Sequence, residues 1–215
     1  MKICLIGGGN PSAGELDDVM DAVSRYTDAG NKVLIIPFAT EESKRDRWVQ
    51  SAMKLFSDIG LGQISLLDES LTSIEMQQEI ETSEVLYFTG GRPELLMNRL
   101  IEKNLLQTIQ EFSGMMIGVS AGALIFCKDC LITKDDDYPE THFIKGLGLL
   151  DFSLEVHYDS SLDEELIPLS QNRDIYAIPN GSAILYGGKI TEYIHDVYQF
   201  KDGNKHVIGS SNSVI

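Results

Sequence analysis

The chain has 215 residues, 43% of them hydrophobic and 23% charged, and its 17 basic and 33 acidic residues give a formal charge of −16. Such proportions exclude a disordered or fibrous chain, and the length suits a single domain over residues 1–215. The charge repels phosphate backbones, so nucleic acid is not an expected partner, and no apolar run reaches the roughly 18 residues that span a membrane.

The amino terminus, Met1-Lys2-Ile3-Cys4-Leu5-Ile6, runs directly into Gly7-Gly8-Gly9. It is too short an apolar stretch for a secretory signal, and the expected location is the cytoplasm. Strands are predicted at Lys2–Ile6, Lys32–Pro37, Gln63–Leu67, Glu84–Thr89 and Gly114–Val119, rich in Val, Ile and Leu as buried parallel strands are. Helical spacing separates them at Gly14–Ala29, Ser43–Ile59 and Pro93–Leu106, the first two stopped by Gly30 and Gly60. The second half carries shorter strands at Leu154–His157, Asp174–Ile178, Ser182–Tyr186, Lys189–Ile194 and Val197–Lys201. A helix at Leu162–Leu169 interrupts them, and tight turns stand at Gly187-Gly188 and Asp202-Gly203. The expected fold class is therefore α/β: a mostly parallel central sheet with helices on both faces and C-terminal hairpin strands added to it.

Chemistry concentrates after the fifth strand. Gly118-Val119-Ser120-Ala121-Gly122 has the form G-x-S-x-G and stands between a buried strand and a helix start, the setting of a sharp turn that lifts a serine above a sheet. The Ala121 amide is a candidate oxyanion donor, and Gly90 or Gly91, in the loop after the neighbouring strand, would supply the second. Gly7–Gly9 lies on the same edge but lacks the G-x-G-x-x-G spacing of a dinucleotide site and reads first as a tight connection. A serine nucleophile needs a base. His142 falls in a polar loop, and His195 and His206 fall in surface-like strands, whereas His157 ends a strand beside a turn and is the histidine best placed to meet Ser120. Cys127 and Cys130 form a C-x-x-C pair, but no further ligand pair completes a zinc site. They read as small buried residues, and no metal is expected.

The elbow Gly118–Ala123, the Gly-Gly loop before it and a histidine 37 residues after the serine resemble the peptidase S51 family. Further echoes are Ile35-Ile36-Pro37 with Ala39-Thr40, Gly146–Leu150, and Gly181-Ser182-Ala183. The resemblance implies a fold like that of class I glutamine amidotransferases, with a serine in place of the nucleophilic cysteine. It implies Ser120 as nucleophile, His157 as general base and Glu192 as the orienting acid, with Asp135 as the rival acid. The implied substrate is a short peptide with an amino-terminal aspartate, cleaved without any cofactor. A homodimer is compatible with this reading, although nothing in the sequence specifies it.

Two departures from the family pattern stand out. Gly90-Gly91-Arg92-Pro93 replaces Gly-Gly-Asn-Thr, and Pro179-Asn180-Gly181-Ser182 stands where a glutamate commonly precedes the Gly-Ser. Neither touches the triad as read, and both are expected to alter the substrate pocket. Arg92 and Arg173 are the candidate partners for a substrate carboxylate. Two rival readings remain at this level: an esterase using Ser120, Asp135 and His157 in α/β-hydrolase order, and a catalytically silent binding module.

Overall fold

The computed structural model describes residues 1–209 and 213–214, and side chains throughout these except at 42–44, 213 and 214. The elements in chain order are β1 (Lys2–Ile6), α1 (Asp17–Ser24), β2 (Lys32–Ile36), α2 (Glu42–Asp58), β3 (Gln63–Leu66), α3 (Ser73–Glu81), β4 (Val85–Phe88), α4 (Pro93–Glu102), α5 (Leu106–Gln110), β5 (Met115–Val119) and α6 (Ala121–Leu124). They continue with β6 (Asp129–Ile132), β7 (His142–Lys145), β8 (Ser153–Val156), α7 (Asp163–Leu169), β9 (Ile175–Ile178), β10 (Ala183–Tyr186), β11 (Ile190–Ile194), β12 (Val197–Lys201), β13 (Asn204–Gly209) and β14 (Ser213–Val214).

The main sheet has the order β14-β11-β10-β1-β5-β4-β2-β3, and the run from β1 to β3 is parallel throughout. Strand alternation sorts its side chains to two sides. Ile3, Leu5, Leu34, Leu86 and Met116 pack against α3, α4 and α5, through residues such as Met76, Leu96 and Ile109. Cys4, Ile6, Val33, Ile35 and Ile117 face α1 and α2, through Val19, Val23, Leu55 and Phe56. The helices thus cover both faces, as the strand–helix rhythm predicted. Pro93 opens α4, and a reciprocal Thr72–Glu75 capping box opens α3. Among the described residues no helix is long and apolar enough to cross a membrane.

The second half departs from expectation. Of the second-half strands, the β10–β11 hairpin and β14 join the main sheet; β13-β12-β9-β8 is a separate four-stranded sheet, and β6 pairs with β7. Strands β8 and β9 run parallel, so α7 is a crossover between them rather than part of a hairpin. The β12–β13 turn is the predicted tight one, with Asp202 and Gly203 both at positive φ (51° and 73°), as a two-residue hairpin loop requires. The second sheet has its own core of Leu131, Tyr158, Leu166, Ile175, Ala177 and Phe200. It delivers the carboxyl end of β8, and with it His157, to the carboxyl ends of β1 and β5.

Candidate active site

Three chain reversals meet at that edge. Ser120 leaves β5 with φ 54° and ψ −119°, a conformation disfavoured for any residue with a Cβ, and its amide donates to the Ile6 carbonyl at 2.9 Å. Gly118 and Gly122 let the turn close: a Cβ at the first would stand 2.2 Å from the Gly122 carbonyl oxygen, and one at the second 2.3 Å from that of Phe88. His157 leaves β8 at φ 52°, its amide donating to the Gly7 carbonyl at 2.9 Å. Its ring lies directly over Gly8, where a Cβ would sit 2.2 Å from Cε1. The glycines after β1 are therefore both the tight connection and the floor of the site.

His157 Nε2 lies 2.8 Å from Ser120 Oγ, and Nδ1 lies 2.7 Å from Asn180 Oδ1. When the serine hydroxyl donates to Nε2, Nδ1 carries the ring proton and donates it to the Asn180 amide oxygen, which has no proton to compete. Asn180 is held in turn by its own loop, since the Gly181 amide donates to the Gly8 carbonyl at 3.0 Å. The third member of the constellation is thus the residue at the second departure from the family pattern, Asn180.

The residues expected to play that part lie elsewhere. Glu192 sits inside β11, paired with Leu185, and accepts a 2.7 Å hydrogen bond from Arg25 Nη2 at the end of α1. Its strand position turns it to the helix-covered face beside Cys4, away from His157. Asp135 does line the cavity next to Ser120, but its Oδ1 accepts the backbone amides of Asp137 and Tyr138, both at 2.8 Å, and closes its own loop.

Gly90 and Gly91 stand beside the serine. A Cβ on Gly90 would lie 3.4 Å from Ser120 Cβ, and Gly91 has φ 140° with the Ala39 carbonyl oxygen only 2.3 Å from where its Cβ would be. The Gly90 carbonyl accepts from Thr40 Oγ1 at 2.9 Å. In a trans peptide this turns the Gly91 N–H the opposite way. Among the described residues neither the Gly91 nor the Ala121 amide donates to a protein acceptor, and both residues line the cavity. Helix α6 is a single turn. Any help to an oxyanion there comes from these local amides, not from a long-helix dipole.

The cavity holds about 360 Å³. Its walls include Leu124, Leu131 and Leu162, with Glu155 and Tyr138 among the polar groups. Arg92 stands at the rim, where the Tyr138 hydroxyl and Glu94 raise its pKa further. Arg173 is remote: it precedes the amino end of β9 and stacks 3.9 Å over the Phe143 ring, at the opposite end of the second sheet from His157. Cys127 and Cys130 are buried free thiols, with burial holding both thiols protonated. A larger cleft of about 700 Å³, around Gln77, Glu84 and Gly114, opens at the amino ends of the parallel strands, far from Ser120.

Glu155 is the other functional-looking group that sequence reading missed. It is only 4% exposed, and burial pushes its carboxyl up to about 8, against a weaker opposing effect of the Thr133 hydroxyl. Folding therefore retains a proton that the unfolded chain releases, and stability falls as pH rises from about 4.5 to about 8. Glu155→Gln removes that dependence. Urea unfolding should find the variant close to wild type at pH 4.5 and more stable by on the order of 3 kcal/mol at pH 9. Parallel stability curves for the two proteins would refute this.

The chain matches the model of peptidase family S51 over residues 3–194. Curated relatives include Peptidase E of Salmonella arizonae, 22% identical with 96% of each chain covered, and Peptidase E of Shigella flexneri, 21% identical over the same shares. Among solved structures, a peptidase from an acI-B1 Actinobacterium superposes with a TM-score of 0.70 at 19% identity, covering 100% of this chain and 96% of that one. A putative Peptidase E from Listeria monocytogenes EGD-e gives 0.69 at 23% identity, covering 97% and 98%. The two structural matches establish a common fold, and the family match, running through β1, the serine elbow and β11, establishes more: this chain is a serine-type peptidase belonging to peptidase family S51.

Proposed function

We propose that the protein hydrolyses short peptides through an acyl-enzyme formed on Ser120, with His157 as general base and Asn180 as the residue that orients it. The observation that carries this reading is the continuous hydrogen-bonded chain from Ser120 Oγ through both ring nitrogens of His157 to Asn180 Oδ1. His157 Nε2 takes the hydroxyl proton as Oγ attacks the scissile carbonyl, and the Gly91 and Ala121 amides receive the oxyanion. The imidazolium then protonates the leaving amine, and water repeats the sequence to release the acid. Asn180 holds the tautomer without adding negative charge.

Dipeptides with amino-terminal aspartate are the substrate class that the family resemblance suggests, and Arg92, between the lining residues Gly91 and Pro93, is a candidate cation for the side-chain carboxylate. An esterase of α/β-hydrolase order has less support, because the Asp135 carboxylate is committed to its own loop. The test is a panel of Asp-Leu, Glu-Leu, Asn-Leu and β-aspartyl-leucine with an aryl ester as control, on wild type and Ser120→Ala. Cleavage of Asp-Leu above the others, lost in the variant, supports the reading. Ester cleavage alone, or peptide cleavage that survives Ser120→Ala, overturns it.

A further inference from the structure

Deep in the same cavity the protein keeps a carboxyl group that the triad chemistry does not use. Glu155 precedes His157 by two residues, and its side chain is buried between β8 and the end of β6. Thr133 Oγ1 donates to Oε1 at 3.1 Å, and Oε2 has no protein partner among the described residues. Glu155 lines the cavity that also contains Ser120 and His157. A buried carboxyl with one oxygen anchored to Thr133 keeps its second oxygen as a position that a bound ligand can fill.

The surroundings indicate the sign of that partner. Asp135 and Asp159 also line the cavity, Glu165 and Asp135 both act on Glu155 as negative charges, and Lys134, the one Lys or Arg among the described lining residues, is exposed. An anionic group brought to Oε2 would meet carboxylates. A protonated amine would be attracted by all of them, and its charge favours the ionised carboxylate, so that on binding the proton held by Glu155 leaves to solvent and Oε2 accepts from the ammonium. Leu124, Leu131 and Leu162 make part of the cavity wall apolar, and an apolar wall strengthens a charge-assisted hydrogen bond.

We infer that Glu155 is a specificity-determining residue whose Oε2 receives a protonated amine of the bound peptide. The inference rests on the proposed peptidase chemistry at Ser120 and deepens it. In a dipeptide the α-ammonium lies one carbon from the scissile carbonyl, so capturing it inside the cavity beside Ser120 would confine cleavage to peptides with a free amino terminus. A lysine side chain offers the same chemistry from a different place.

The experiment compares Asp-Leu with N-acetyl-Asp-Leu, and Lys-Leu with norleucyl-leucine, on wild type, Glu155→Gln and Ser120→Ala, with an amine-free aryl ester as a control for site integrity. Glu155→Gln keeps the shape and the acceptor for Thr133. Wild type is expected to favour the free-amine peptide by about 30-fold or more in kcat/KM, mostly through KM, since an unpaired buried charge partner costs at least that much. In Glu155→Gln the preference should shrink to a few-fold while ester hydrolysis is retained. Loss of the acetyl discrimination identifies the α-ammonium as the source; loss of the lysine–norleucine discrimination identifies the side chain. As a measurement needing no variant, n-butylammonium should inhibit wild-type ester hydrolysis competitively where n-butanol does not. Peptide hydrolysis that depends on Ser120 but ignores N-acetylation and the Glu155 substitution overturns this inference and leaves the peptidase reading standing. Activity unaffected by Ser120→Ala overturns the peptidase reading, and this inference with it.

Discussion

Ser120→Gly is expected to abolish peptide hydrolysis and to stabilise the protein at the same time. Loss of the nucleophile should lower kcat/KM by roughly 10⁴- to 10⁶-fold, because nucleophile and base act as a unit. The gain in stability comes from the backbone. At φ 54° and ψ −119° Ser120 occupies the mirror image of an extended conformation, which glycine adopts freely and a residue with a Cβ does not. Such strain costs about 1–3 kcal/mol, and the greater chain entropy of unfolded glycine returns about 0.5–1 kcal/mol. The net gain of about 1 kcal/mol corresponds to a rise of about 2–4 °C in Tm for a chain of this size. Ser120→Ala is the decisive comparison: it removes the same hydroxyl and the same bond to His157 but keeps the Cβ. Both variants should be inactive, and only the glycine variant should melt later than the alanine one. Equal melting temperatures would show that the elbow stores no strain.

That strain also explains why the elbow was legible before any coordinates. Gly118 and Gly122 are required by contacts of 2.2 and 2.3 Å that any Cβ would make, so the pattern G-x-S-x-G is a steric consequence of the turn. The parallel strands were equally plain, because burial on both faces leaves a continuous run of Val, Ile and Leu in place of a subtler pattern. Helix α3 escaped notice because it buries only Met76 and Ile80, too narrow a stripe to register, although Thr72 and Glu75 spell out its capping box. Short strands β8, β9 and β12 were visible as strands, but their partners were not. Alternation fixes which face a residue takes and says nothing about which sheet receives the strand. Glu155 was hidden for a related reason: a glutamate in a four-residue strand reads as solvent-facing until another element covers it.

The third member of the proposed constellation shows the same limit from the chemical side. Chain order admits Glu192 or Asp135 after Ser120, and both are acidic, which suits the usual role. Chain order cannot show that Arg25 already occupies Glu192, or that Asp135 is tied to the amides of its own loop. The informative signal was Asn180 itself, a neutral residue at the second departure from the family pattern. A neutral amide there connects to the histidine without bringing charge to the site.

A neutral third residue should leave a measurable mark on pH dependence. Asn180 Oδ1 accepts from His157 Nδ1–H and so fixes the tautomer, but it places no negative charge beside the imidazolium that forms when Ser120 gives up its proton. Asn180→Asp is nearly isosteric and supplies that charge. It favours protonated His157, so the acid limb of the kcat/KM profile should move to higher pH by about one unit. Asn180→Ala removes the acceptor altogether, and the freed ring should lower kcat/KM by roughly 100-fold or more without moving the limb upward. Glu192→Gln is the control, since its carboxylate bonds Arg25 on the helix-covered face; the limb should stay in place and any loss should fall on stability. If Glu192→Gln moves the limb and Asn180→Asp does not, the histidine is governed from β11 and the role given to Asn180 is wrong. If Asn180→Asp alone moves it, this peptidase runs serine chemistry with an amide where a carboxylate is usual, and does so with less charge to hold the imidazolium.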